Sequence, residues 1–237
     1  MNSEARESGL QNPLTSSFSH DNDFNDLADT LMDATSNIGD NMKIEYKVPT
    51  KPERRMCLVV IDMQECFFEE EGSKEKNKEA IENIAKAIKS FREHSRDVFI
   101  IRYMGDTHSE KEDKSIIKEI GDISDLKIVD KYHMSAFQNT ELTDLVINNG
   151  YDTVLLCGAY AEHCVMASYW SAYERDISSF LLEDAVIAYT PEKLSSAFRI
   201  CGTFTMDEME ENLRTTTIEP GCNSTNNRMR RKYWYLK

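Results

Sequence analysis

Residues 150–186, GYDTVLLCGAYAEHCVMASYWSAYERDISSFLLEDAV, confine this chain to a narrow set of folds. Val154, Leu155, Leu156 and Cys157 make a short apolar run closed by Gly158, the pattern of a strand buried on both faces. A tight turn over 158–161 follows. Val165, Ser168, Tyr169, Ala172 and Tyr173 then recur at helical spacing and share one face. A second apolar run, Phe180-Leu181-Leu182, ends in Glu183-Asp184-Ala185. Strand, helix and strand in that order predict a parallel unit, with Cys164 where the helix begins. That is the carboxyl edge of the first strand, where open parallel sheets bind their ligands. A helix's first turn offers unpaired N–H groups and a positive dipole end, which favour a thiolate and mark Cys164 as a candidate nucleophile. The alternative is a thiol that merely packs, since free cysteine is among the most buried residue types.

The same alternation extends along the chain. Residues 56–61 read as a strand that ends at Asp62, and a polar turn at Gly72 and Ser73 leads into a helix over 74–94. Ile81, Ile84, Ala85, Ile88 and Phe91 form its apolar face. Residues 98–103 make a second strand, 104–109 a loop, and the mixed charges of 110–122 a short solvated helix. Residues 126–129 predict a third strand, closed by Asp130-Lys131, and Leu142, Leu145 and Val146 a helix that Gly150 stops. Thr190-Pro191 starts another helix, a capping hydroxyl ahead of a first-turn proline. Residues 203–206 supply a sixth strand, and Asp207 caps a last helix through Leu213. The expected class is α/β: three layers, α/β/α, around a six-stranded parallel sheet.

A length of 237 residues suits one sizeable core. Residues 45–213 form the expected domain, between a disordered lead over 1–44 and a tail over 214–237 that ends RMRRKYWYLK. In the lead, Phe24, Leu27, Leu31, Met32 and Ile38 are spaced for a short amphipathic helix. A net charge of −14 argues against nucleic acid or an anionic membrane as partner. No apolar run is long enough to span a bilayer, and the first residues lack a secretory pattern, so a cytoplasmic location is expected. Six scattered cysteines fit reduced thiols there better than a disulfide framework.

Asp62, Lys131 and Cys164 thus stand at the ends of three strands. A carboxylate can take the thiol proton, and an ammonium can hold the base and stabilise the thiolate. Taken singly, Asp62 reads as a turn cap, Lys131 as a solvated cation and Cys164 as a packed thiol. With their flanks, VVIDMQ at 59–64, KYHMSAF at 131–137 and GAYAEHCV at 158–165, they resemble the isochorismatase-like family, also called cysteine hydrolases. The resemblance spans about 45–213, in order and at the right spacing. It implies the six-stranded parallel sheet, a triad of Asp62, Lys131 and Cys164, frequent homo-oligomers, and a non-proline cis peptide at Ala159-Tyr160. It also implies small-molecule contacts from Gln64, Phe68, Ala159, Tyr160 and His133, with Asp106 aligned to a substrate-contacting glutamine and Lys114 to a carboxylate-binding arginine.

Within the family, GAYA and DISSFLLEDAVIAYTPEKL are most similar to the isochorismatases of siderophore and phenazine pathways. There the resemblance implies that an aspartate, here Asp62, protonates an enol-ether carbon, water adds, and pyruvate leaves. That subgroup usually has glycine at the position of Cys164, so this chain departs from it and restores an amidase-type triad. Isochorismate hydrolysis is therefore the first expectation, and Cys164-dependent cleavage of an amide or ureido C–N bond the second. A catalytically silent binding protein is a third reading, weakened because no triad member is lost. Asp106-Thr107-His108 resembles the Asp-x-His of zinc-binding nicotinamidases, but no second histidine precedes Lys131. No metal and no cofactor are expected.

Overall fold

Strand β1, Met56–Ile61, is buried along its whole length, as its unbroken apolar run requires. The computed structural model describes residues 54–106 and 113–216. The amphipathic segment of the lead, His108 and the basic-aromatic tail lie outside those residues. Five further strands follow: β2 Val98–Tyr103, β3 Lys127–Lys131, β4 Thr153–Ala159, β5 Ser178–Ile187 and β6 Thr203–Phe204. They form one sheet in the order β3-β2-β1-β4-β5-β6, and every neighbouring pair is parallel. The chain steps outward from β1 to β3, then returns to lay β4 on the other side of β1. That reversal opens a crevice at the carboxyl ends of β1 and β4, where such sheets place ligands.

The helices divide between the two faces. They are α1 Lys78–Glu93, α2 Leu142–Asn148, α3 Met166–Tyr173, α4 Pro191–Ile200 and α5 Met206–Thr215. Met56, Leu58 and Val60 of β1 pack with Ile84, Ile88 and Phe91 of α1 and with Met209 and Leu213 of α5. Cys57, Val59 and Ile61 point the other way, into a core with Val146 of α2, Ala172 of α3 and Ala197 of α4. The period of two along β1 therefore feeds two cores, giving the three layers expected. Each fully buried leucine or isoleucine contributes about 1.5–3 kcal/mol, which fixes β1 as the rigid centre.

The differences from the sequence expectations are local. The expected 74–94 helix is broken at Asn77, leaving one helical turn, Ser73–Lys76, ahead of α1. Of the helix expected over 110–122, the described part holds only a 3-10 turn, Lys118–Ile120. Strand β3 runs on through Asp130 to Lys131, because both continue its pairing with Arg102 and Tyr103 of β2. Strand β5 likewise continues through Glu183 to Ile187. Thr205, not Asp207, caps α5: its hydroxyl accepts from the Glu208 N–H while the Glu208 carboxylate accepts from the Thr205 N–H. Among the described residues no helix is long and apolar enough to cross a membrane.

Gly158 does not close β4 but lies inside it, at φ +103°, where the register with β5 shifts. A Cβ there would collide with the backbone carbonyl of Ile61. Glycine alone lets β4 pass this close to the end of β1, bringing the turn after β1 against the segment that carries Cys164.

Candidate active site

Three strand ends converge on one ammonium. Lys131, the last residue of β3, is completely buried, and its Nζ lies 2.8 Å from Asp62 Oδ2. Nζ also donates to Cys164 Sγ at 3.1 Å and to the carbonyls of His133 and Met134, each at 3.1 Å. Asp62 follows β1 directly and adopts φ +51°, a conformation that aspartate tolerates better than most residues. Cys164 follows β4: the Ala159-Tyr160 peptide is cis, and residues Ala161–Val165 form a wide helical turn kinked at His163 before α3 begins. The sequence placed these three residues at strand ends, and the fold brings the carboxylate and the thiol each against the one Lys131 ammonium.

Two side chains fasten this arrangement. Ser168, buried on α3, donates to the Cys164 carbonyl at 2.6 Å and accepts from the Ala136 N–H at 2.9 Å. One hydroxyl thus ties the loop after Lys131 to the turn that carries the thiol. Sequence reasoning counted Ser168 only as part of a helical face; a small hydroxyl one helical turn after the cysteine was the available signal. Gln64 is the second fastener. It is fully buried, its Nε2 donates to the carbonyls of Tyr103 and Lys114, and its Oε1 accepts from the Tyr103 N–H at 2.6 Å. With both ends of the amide held by backbone, Gln64 clips β1 to β2 and does not face the ligand space.

Burial dominates the protonation of the site. It holds the Asp62 carboxyl above the usual carboxylate range, against the Lys131 charge and a hydrogen bond from Cys164 that pull it down. The Cys164 thiol is pushed up to about 12, first by burial and then by the Asp62 charge, with Lys131 opposing. The expectation of a thiolate favoured by a helix start is thus corrected. Desolvation and a neighbouring carboxylate outweigh the dipole, and the kink at His163 separates Cys164 from a regular first turn. The resting pair is a neutral thiol beside a buried base.

A cleft of ≈ 540 Å³ lies against this cluster, lined by Cys66, Phe67, Tyr103, Asp106, Tyr160 and Tyr189 among others. Asp62, Lys131 and Cys164 are not among its lining residues. Tyr103 connects the two regions, with its ring centroid 4.9 Å from Lys131 Nζ, and Tyr160 opens the turn that carries the thiol. The Tyr160 hydroxyl donates to the Phe67 carbonyl at 2.6 Å, and its ring stacks on Tyr189 at 4.2 Å.

Besides Gln64, four of the expected contact residues are placed differently. Phe68 packs into the core, because the 3-10 turn Glu65–Phe67 rotates it inward and leaves Phe67 on the cleft. The His133 side chain is exposed, with Nε2 3.3 Å from Asn139 Nδ2, and only its carbonyl reaches Lys131. The Lys114 ammonium is engaged by the carbonyls of Met104 and Gly105, at 2.9 and 2.5 Å. Ala159 is buried at the end of β4 and contributes backbone. Tyr160 and Asp106 do line the cleft. Tyr189 and Phe67 were missed, because single aromatic residues in loops carry no periodic signal. Among the described residues no group of three or more His, Cys, Asp or Glu could hold a metal ion.

A doubly wound parallel sheet with a carboxylate, an ammonium and a thiol at its switch point is the framework of a hydrolase. A model of the isochorismatase domain matches residues 56–202, well over half of the chain, and the chain belongs to the isochorismatase family of hydrolases. It is similar to an uncharacterized isochorismatase family protein, YrdC, of Bacillus subtilis: 25% identity over 142 residues, 58% of this chain and 76% of that protein. Over 65 residues it is 38% identical to a probable isochorismatase of Pseudomonas chlororaphis, covering 27% of this chain and 31% of that protein. The fold matches the crystal structure of N-carbamoylsarcosine amidase from Thermoplasma acidophilum with a TM-score of 0.56 and 24% identity, over 64% of this chain and 95% of that one.

Proposed function

We propose that this hydrolase cleaves a small amide or ureido C–N bond with Cys164 as nucleophile. The observation that carries the reading is the contact of one buried ammonium with both the thiol, at 3.1 Å, and the Asp62 carboxylate, at 2.8 Å. As Sγ attacks the carbonyl carbon, its proton passes to Asp62, whose burial-raised affinity suits it to accept and return a proton. Lys131 meanwhile balances the negative charge that moves between sulfur and carboxylate. The C–N bond then breaks, and the leaving nitrogen takes the proton from Asp62. The remaining acyl group is held as a thioester. Water, deprotonated by Asp62, attacks that thioester, and the departing sulfur recovers its proton. Developing oxyanion charge is favoured at the N-terminal end of the helical run that begins at Ala161.

A second reading, hydrolysis of the vinyl ether of isochorismate or a near analogue, is favoured by the 65-residue similarity to the Pseudomonas protein. Asp62 would protonate the enol-ether carbon, and Cys164 would be a bystander. The charge of the cleft counts against it. Isochorismate carries two carboxylates, whereas the described lining holds Glu69, Glu70, Glu71 and Asp106 against Lys76, and the Lys114 cation is taken up by backbone.

The test compares wild type with Cys164→Ala for ammonia release from a panel of primary amides and ureido compounds, and for pyruvate release from isochorismate. Ammonia from wild type alone supports the first reading. Pyruvate from both proteins replaces it with the second.

A further inference from the structure

Resting on the site proposed above, we infer that the substrate carries a positively charged nitrogen, which the cleft holds between aromatic rings and carboxylates. Two independent features of the same cavity converge on this. The wall beside the thiol turn is aromatic: Phe67 meets Tyr160 edge-on at 6.3 Å and Tyr103 at 6.4 Å, and Tyr160 stacks on Tyr189. Aromatic faces attract ammonium and guanidinium groups, more strongly as water is excluded. The molecule already uses this chemistry at both ends of the wall, with Lys131 Nζ 4.9 Å from the Tyr103 centroid and Lys193 Nζ 5.0 Å from that of Tyr189.

The mouth of the cavity is acidic. Glu69, Glu70, Glu71 and Asp106 line it, and Lys76 is the one cation in the described lining. Glu70 and Glu71 are exposed, so their charge is not neutralised by burial. Among the described residues the cations near this wall are already engaged, Lys114 by Met104 and Gly105, Lys131 by Asp62 and Lys193 by Glu162, so an entering anion meets repulsion. A cation meets attraction at the mouth and rings at the wall. The carbonyl to be cleaved would then lie toward Cys164 and the charged nitrogen toward Glu70 and Glu71.

The experiment is calorimetric binding of benzyltrimethylammonium, benzyl alcohol and benzoate to the wild-type protein and to Glu70→Gln/Glu71→Gln, at low and high ionic strength. The expected result is that the cation binds wild type about tenfold or more tightly than either of the other probes, with the advantage reduced by salt. The double variant should lose roughly tenfold of that advantage. Equal binding of the three probes, or a cation affinity unchanged in the double variant, overturns the inference. Turnover separates it from the reading on which it rests. Cation binding without cleavage of any amide leaves the inference standing and removes the amidase proposal, whereas amide cleavage indifferent to substrate charge does the reverse.

Discussion

Replacing Lys131 by methionine should convert the site from the best-anchored part of the fold into a liability whose size depends on pH. Lys131 is 0% exposed and Asp62 1%, so the variant leaves a carboxylate in a nearly water-free site with its counter-ion gone. The carbonyls of His133 and Met134 lose a donor as well. Breaking one side of a buried ion pair destabilises by about 3–5 kcal/mol, or about 10 °C in Tm for a domain of this size. Without Lys131 the largest influence that pulls the Asp62 carboxyl down is removed, and its affinity for a proton rises further above the unfolded value. A carboxyl raised in the folded state is stabilised while protonated. The charge-linked part of the loss is therefore absent below the unfolded carboxylate range and accumulates as pH rises through the raised folded value, leaving only the smaller cost of the two carbonyls at low pH. Chemical denaturation of Lys131→Met across that range should show stability close to wild type at low pH and a growing deficit toward neutrality. The double variant Asp62→Asn/Lys131→Met, which carries no buried charge, should regain most of the loss at neutral pH. A single variant as stable as wild type at neutral pH, or a double variant no better than the single, would refute the reasoning.

Three further outcomes follow from named contacts. Because the Asp62 charge helps push the Cys164 thiol up to about 12, Asp62→Asn should abolish turnover yet speed alkylation of Cys164 by iodoacetamide near neutrality; a slower alkylation than wild type contradicts the assigned protonation. Gly158→Ala combines φ +103° with a collision against the Ile61 carbonyl, so it should destabilise by roughly 3 kcal/mol or more, measured as a drop in Tm, and a change within error removes the close approach of β4 to β1. Helix α3 leaves Trp170 43% and Tyr173 46% exposed as an edge-to-face pair at 6.1 Å. If that face joins two copies, sedimentation should give a dimer for wild type and a monomer for Trp170→Glu/Tyr173→Glu; a monomeric wild type ends that reading.

Much of the fold was legible because its strands are apolar on both faces and its helices amphipathic. The limits of β1 matched because the polar Asp62 follows its apolar run, and β2 kept its expected limits with Arg102 inside it. Where polar residues lie inside a strand, as Asp130 in β3 and Glu183 in β5, hydropathy marks an end that backbone pairing carries past. Asp62, Lys131 and Cys164 could be located because strand ends are visible in sequence. Their contacts could not, since the meeting of β1 and β4 depends on the missing side chain of Gly158. The contact residues fared worst. Gln64 and Lys114 lie at the right places in the chain, but their polar atoms are taken up by neighbouring backbone, and the inward turn of Phe68 and outward turn of Phe67 follow from one 3-10 turn. The thiol's protonation was misjudged because a helix start is legible in sequence while desolvation is not.

The central claim is that Cys164 bonds covalently to the substrate while Asp62 moves its proton. Its most direct test is intact-protein mass spectrometry after acid quench during turnover of an amide from the panel, with the modified peptide mapped. The account predicts an acyl adduct on the peptide containing Cys164, absent from Cys164→Ser and from Asp62→Asn. Sustained turnover with no adduct, and with the rate preserved in Cys164→Ala, would contradict it.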